Sequence, residues 1–296
     1  MHSIGIGTCV PGPLFADWAP ALKGRGFECF SINFHMEFRG VDLAELAKKV
    51  RELLDGSGVA VSSLGYYCNA LMYDDHKKSL ERCIDLARSF GTGTVSTFAG
   101  ALEGESVEAA MPKFKAVFGE LARRAGDSGV RLAIENCPMG GTWKSNTCNI
   151  GFHPRAWEMM FDAVDSDALG LEWEPAHQMA QLIDPVAQLR RIAPKVVHIH
   201  GKDANIKADQ IAAEGIIGPA EPVDMRFPGL GDTDWRQIFA ILHAADYRGY
   251  VSIEGYHDPF FQRDWEMTGQ VHALNYLKWC RGGDFIPNPW PAIAGM

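Results

Sequence analysis

Short apolar runs alternate along the chain with longer stretches whose apolar positions recur at helical spacing. That alternation is the pattern of repeated βα units around a parallel sheet. Eight units are predicted, with strands at 3–7, 27–33, 59–64, 94–98, 130–135, 168–174, 196–203 and 250–254. Between them, Leu43, Leu46, Ala47, Val50 and Leu54 form a helical stripe behind Asp42 and Glu45, which have capping-box spacing. Pro112 is expected in the first turn of a helix that turns Phe114, Val117, Phe118, Leu121 and Ala125 inward. The fold class is therefore α/β, a single (β/α)8 TIM barrel over residues 1–296. One connection breaks the pattern. Residues 204–233 are long and punctuated by Gly and Pro, which predicts a lid or pocket wall after the seventh strand. A tail with Pro287, Pro289 and Pro291 is expected to pack over the barrel or a neighbouring subunit, which leaves a homo-oligomer open.

Charged residues stand where several apolar strands end. The fifth ends in Glu135, the sixth runs through Glu172 and Glu174 to Pro175-Ala176-His177, and the eighth ends in Glu254. The seventh reads Val196-Val197-His198-Ile199-His200-Gly201-Lys202-Asp203, and period-2 parity puts His198, His200 and Lys202 on one face. A barrel places its active site at the carboxyl ends of its strands. A charge ending a buried strand is costly unless it is paired or coordinated. Glu135, Glu174, His200 and Glu254 thus form a mainly oxygen ligand set that suits manganese, with magnesium, cobalt, ferrous iron or zinc as alternatives. The third strand runs into Gly65-Tyr66-Tyr67-Cys68-Asn69, a cluster that would line a sugar pocket or cap the barrel with an aromatic pair.

Composition narrows the partners. The 296 residues are 47% hydrophobic, enough for one large core, and carry a formal charge of −9, which argues against nucleic acid. No stretch has the length and apolarity of a membrane span, and the amino terminus lacks a basic region followed by an apolar run. A cytoplasmic protein is expected. Seven cysteines without a Cys-x-x-Cys give neither a disulfide framework nor a zinc knuckle.

The motifs together resemble the xylose-isomerase-like superfamily of sugar phosphate isomerases and epimerases, across nearly the whole chain. The most specific pieces are Ile134-Glu135-Asn136-Cys137-Pro138-Met139, Leu171-Glu172-Trp173-Glu174-Pro175-Ala176-His177, His198-Ile199-His200-Gly201-Lys202-Asp203, Pro228-Gly229-Leu230-Gly231-Asp232 and Ser252-Ile253-Glu254. The resemblance implies Glu135, Glu174, His200 and Glu254 as metal ligands. It also implies His177 and Lys202 as substrate contacts, with Asn69, Arg226 and Asp258 as further candidates. One position departs: the family has Asp before Pro-x-His where this chain has Glu174, and Glu172 competes for the ligand role.

The expected activity is a metal-dependent isomerase or epimerase of a ketose, keto-sugar or keto-glycoside. Its acid and base would be Glu135 and Glu254, acting through an enediolate from different sides of a small sugar. The alternative is a lyase using the same site, an inosose-type dehydratase or a β-eliminating keto-glycoside lyase. A phosphodiester hydrolase and a non-catalytic sugar-binding barrel fit less well.

Overall fold

The computed structural model describes residues 4–283 and 286. Eight parallel strands close a barrel: β1 (Gly5–Pro11), β2 (Cys29–His35), β3 (Ala60–Tyr67), β4 (Thr94–Thr97), β5 (Arg131–Glu135), β6 (Leu169–Trp173), β7 (Val196–Gly201) and, last in the chain, β10 (Tyr250–Ile253). Pairing runs in sequence order and closes β10 on β1 with Gly5 opposite Tyr250. All eight predicted strands are present, with ends shifted by a few residues. The Pro-rich tail lies outside the described residues. No helix among those described is long and apolar enough to cross a membrane.

Local chemistry explains the helices and two departures from expectation. Asp42 caps the helix Leu43–Leu54, accepting from the amides of Ala44 and Glu45 at 2.8 and 3.2 Å. The box is not reciprocal, because the Glu45 carboxylate turns outward to Lys48 at 2.6 Å. The helix Val107–Asp127 begins earlier than Pro112 suggested, because Ser106 caps it by accepting from Ala109. Pro112 lies inside it, where the ring removes one i→i−4 hydrogen bond.

The long connection after β7 is built, not irregular. Lys202 alone separates β7 from β8 (Asp203–Ile206), which pairs antiparallel with β9 (Val223–Arg226), with the helix Ala208–Glu214 between them. Asp203 anchors this hairpin by accepting from the amides of Ala204 and Thr233 and from the Trp235 indole, at 2.8, 3.0 and 3.2 Å. Gly231 has to be glycine there, since a Cβ would collide with the Asp203 carboxylate. A short helix, Pro175–Met179, absent from the sequence reading, follows β6 directly, with proline in its first turn.

Candidate metal centre at the carboxyl end of the barrel

The barrel interior changes character from bottom to top. Low in the barrel, Ser62, Ser252 and His198 form a buried chain, Ser62 to Ser252 at 2.9 Å and Ser252 to His198 Nε2 at 3.1 Å. His198 Nδ1 then meets Glu172 Oε1 at 2.6 Å, which Ser96 also reaches at 2.6 Å, while Tyr67 donates to Glu172 Oε2 at 2.8 Å. Both oxygens of Glu172 are therefore occupied. Burial opposes its charge, but His200 and the hydrogen bond from His198 outweigh it and hold the carboxyl below the ordinary value.

One layer higher, the polar atoms converge and only His200 and Glu135 satisfy one another with a hydrogen bond. His200 Nδ1 stands 2.8 Å from Glu135 Oε1, 3.3 Å from Glu254 Oε2 and 3.6 Å from Glu174 Oε2. One ligand atom from each of these four residues lies within 4.8 Å of every other. Among the described residues, neither oxygen of Glu174 has a hydrogen-bond partner, nor does Glu254 Oε2, although all are shielded from solvent. Lys202 approaches Glu254 at 3.3 Å and Glu174 at 3.8 Å, an ion pairing too poorly aligned to count as hydrogen bonding.

Each group is held by its backbone. Asn136 clamps the main chain of Glu174, donating to its carbonyl at 2.9 Å and accepting from its amide at 2.6 Å. Asn149 donates to the carbonyls of Glu135 and Cys137 at 2.9 and 2.7 Å. Glu174 takes the N-cap position of the helix Pro175–Met179 without a side-chain capping bond, and His177 follows one turn on with Nε2 at 3.1 Å from Glu174 Oε1.

The electrostatics follow from crowding like charges in a dry place. Burial, with the Glu254 charge nearby, pushes Glu174 up to about 8, and burial with Glu254 and Glu172 pushes Glu135 up to about 7. Glu254 is held well below its ordinary value in spite of burial, chiefly by Lys202. Burial, then Lys202, lowers His177 to about 3, so its imidazole is neutral, and its Nδ1 has no partner. His200 is raised well above its ordinary value, mainly by Glu172 working against burial. The orphaned carboxylate oxygens and the hard donor set fit a divalent cation, with His200 Nδ1 facing it. His200 Nε2 would then face Tyr67 at 3.2 Å and Glu172 at 3.3 Å, the outer hydrogen bond that fixes a ligating imidazole.

The centre forms the floor of a cavity of about 1010 Å³, into which His177, Lys202, Glu135, His200 and Glu254 open. Three other candidates are placed elsewhere. The Asn69 amide is committed to backbone, donating to Ala101 and Thr147 and accepting from Leu71 and Ala101. Arg226 pairs with Asp258 at 3.0 Å and donates to Asn205 at 2.7 Å, and Asp258 also accepts the amides of Phe227, Phe260 and Phe261. None of the three lines the cavity; Tyr67, His35, Tyr256 and His257 do. For Tyr67 the signal lay in the aromatic cluster that was read through Asn69.

The profile of the xylose isomerase-like TIM barrel family matches residues 20–279. The chain belongs to that family. A rhizopine catabolism protein, MocC, of Rhizobium meliloti is 30% identical over 119 residues, 39% of this chain and 34% of that protein. An inosose dehydratase of Bacillus thuringiensis is 26% identical over 124 residues, 41% of each. The matched stretch thus spans well under half the length of these relatives. Among solved structures, a 3-keto-D-glucoside 4-epimerase from E. coli superposes with a TM-score of 0.69 at 16% identity, covering 94% of this chain and 100% of that one, a likeness of fold.

Proposed function

We propose that the protein is a divalent-metal-dependent epimerase or isomerase of a ketose, keto-sugar or keto-glycoside. The carrying observation is that Glu135 and Glu254, from strands three places apart around the barrel, flank one His200 nitrogen beside the Glu174 carboxylate, whose oxygens have no hydrogen bond among the described residues. In this reading Glu135, Glu174, His200 and Glu254 hold the ion. When bound it would polarise a substrate carbonyl and neighbouring hydroxyl and stabilise the charge that builds as the adjacent carbon loses its proton. Manganese is the first choice for this donor set.

The chain's own groups move the proton. One of Glu135 and Glu254 takes it from the carbon next to the carbonyl, and the other returns one from the opposite side. Lys202, kept charged by Glu174 and Glu254 against the cost of burial, binds a substrate oxygen and balances the local carboxylates. Neutral His177 offers its free Nδ1 to a substrate hydroxyl. Tyr67 and Glu172 keep the His200 ring in place.

A dehydratase or lyase is the second reading, supported by the partial likeness to inosose dehydratase. The same proton abstraction would then be followed by loss of a β-substituent. The test is incubation of manganese-loaded protein with a panel of ketoses, inososes and keto-glycosides in deuterium oxide, with products identified by NMR. Deuterium at the α-carbon with an epimer or isomer is the expected result. An unsaturated product would transfer the assignment to the lyase, and exchange in no substrate would overturn both.

A further inference from the structure

We propose that the substrate is an uncharged keto-glycoside with an apolar aglycone, seated against two hydrophobic clusters that line the cavity. This rests on the keto-sugar reading above and narrows it. A cavity of about 1010 Å³ lies at the top of the range, about 300–1,000 Å³, of pockets that enclose drug-sized ligands. A free monosaccharide chelated on the floor would leave most of it wet.

The walls are unsuited to that water. Tyr67 and Phe98 pack with Cys148, and Met36, Cys137 and Met139 lean on them, a cluster separate from the main core. In a second cluster, Val223 of β9 packs with Ala176, Met179 and Ala204, joined by Met225 and Ile206. Tyr67, Phe98, Met139, Val223 and Met225 line the same cavity as the carboxylates. At its rim Leu14 is 39% exposed beside Pro13. Two apolar faces that open on one polar floor describe a molecule with a hydroxylated end and an apolar end.

Charge at the mouth argues against a phosphate. The rim guanidinium of Arg39 lies 3.7 Å from Glu37, and Asp224 is paired with Lys207 at 2.9 Å. Glu221 adds a further carboxylate to the lining. Lys202, deep in the site, faces Glu174 and Glu254. Burial lowers both His35 and His257, which disfavours their charged forms. Among the described residues, no group of uncompensated cations lines this cavity.

The experiment is calorimetric binding to manganese-loaded protein of four probes: 3-keto-glucose, its methyl and phenyl β-glycosides, and 3-keto-glucose 6-phosphate. The phenyl glycoside is expected to bind at least about tenfold tighter than the methyl, from burial of the ring. The phosphate is expected to bind more weakly than the free keto-sugar. Met225→Asp should bring the phenyl-to-methyl ratio near one with one manganese still bound, and Met225→Leu should keep the ratio. A ratio near one in the parent protein, or tighter binding of the phosphate, would overturn the proposal. Deuterium exchange on the same probes separates it from the reading beneath. Phenyl preference without exchange in any probe removes the proton-transfer chemistry and leaves the apolar subsite. Exchange with equal kcat/KM across the neutral probes removes the subsite and leaves the chemistry.

Discussion

Glu172 and Glu174 stand two residues apart at the end of β6, both fully buried, in opposite surroundings. Glu172 is held by Tyr67, Ser96 and His198, and its charge is stabilised. Glu174 has its backbone clamped by Asn136 and its oxygens left without a hydrogen bond, and burial raises its pKa to about 8. A buried carboxylate with satisfied oxygens is architecture, whereas one fixed in place and unsatisfied carries a cost that, in the proposed reading, a bound cation offsets. The pair therefore separates the layer that supports His200 from the layer that, on this account, binds metal.

The largest predicted effect breaks the upper layer. Glu254→Gln, saturated with manganese, should lose about 10²–10⁴-fold in turnover, the range of a general acid or base. Exchange of the α-proton with solvent on the face Glu135 serves should outlast epimer interconversion. Full epimerisation by this variant, followed by NMR, would exclude two-base transfer.

Next comes the lower layer. Glu172→Ala leaves the Ser96 hydroxyl and His198 Nδ1 unpartnered in the barrel and the Tyr67 hydroxyl with His200 alone, and should destabilise the metal-free fold by about 3–5 kcal/mol. Denaturant titration measures it. A loss below about 1 kcal/mol would mean that this network is not the support described.

The layers should also part with pH. In the metal-free cluster Glu135, Glu174 and His200 hold protons near neutrality, the two carboxyls titrating at about 7 and 8. Metal must displace them, so its affinity should rise from pH 6 to 8 by about tenfold per unit for each proton released. The stability sign is opposite. The raised pKa values of Glu135 and Glu174 stabilise the metal-free fold fully below their unfolded value, and that contribution is lost as pH rises through 7 and 8. Metal-free protein should therefore melt lower at pH 8 than at pH 6, and manganese should remove the difference. A flat affinity across this range would contradict the shared protonation.

The smallest effect concerns Asn69. Its amide ties the loop after β3 to Ala101 and Thr147, so Asn69→Ala should cost about 1–3 kcal/mol of stability and leave manganese stoichiometry at one. A loss of metal binding without a loss of stability would return Asn69 to the site.

These contrasts mark what was legible in the sequence. The places of Glu135 and Glu254 were readable because each charge ends a mainly apolar strand, and His198 below His200 followed from strand parity. The choice between Glu172 and Glu174 was not readable. Ser96 and Tyr67, which occupy Glu172, come from other strands 76 and 105 residues away. Asn69 was singled out from a cluster in which Tyr67 is the residue that lines the cavity. Arg226 and Asp258 were candidates through the resemblance alone, and their mutual pairing across 32 residues was not visible in the sequence. The hairpin of β8 and β9 was hidden for a similar reason: four-residue strands are too short to show a period, and a helix separates them.

The account is tested most directly by manganese titration, in a calorimeter, of chelator-stripped Glu174→Ala and Glu172→Gln beside the parent protein. The parent should bind one equivalent. Glu172→Gln should still bind one, about 10–100-fold more weakly, as for loss of a partner behind a ligand. Glu174→Ala should show no saturable binding in the same range, and Glu174→Asp should restore it. Full binding by Glu174→Ala with loss in Glu172→Gln would move the metal down a layer and contradict the account.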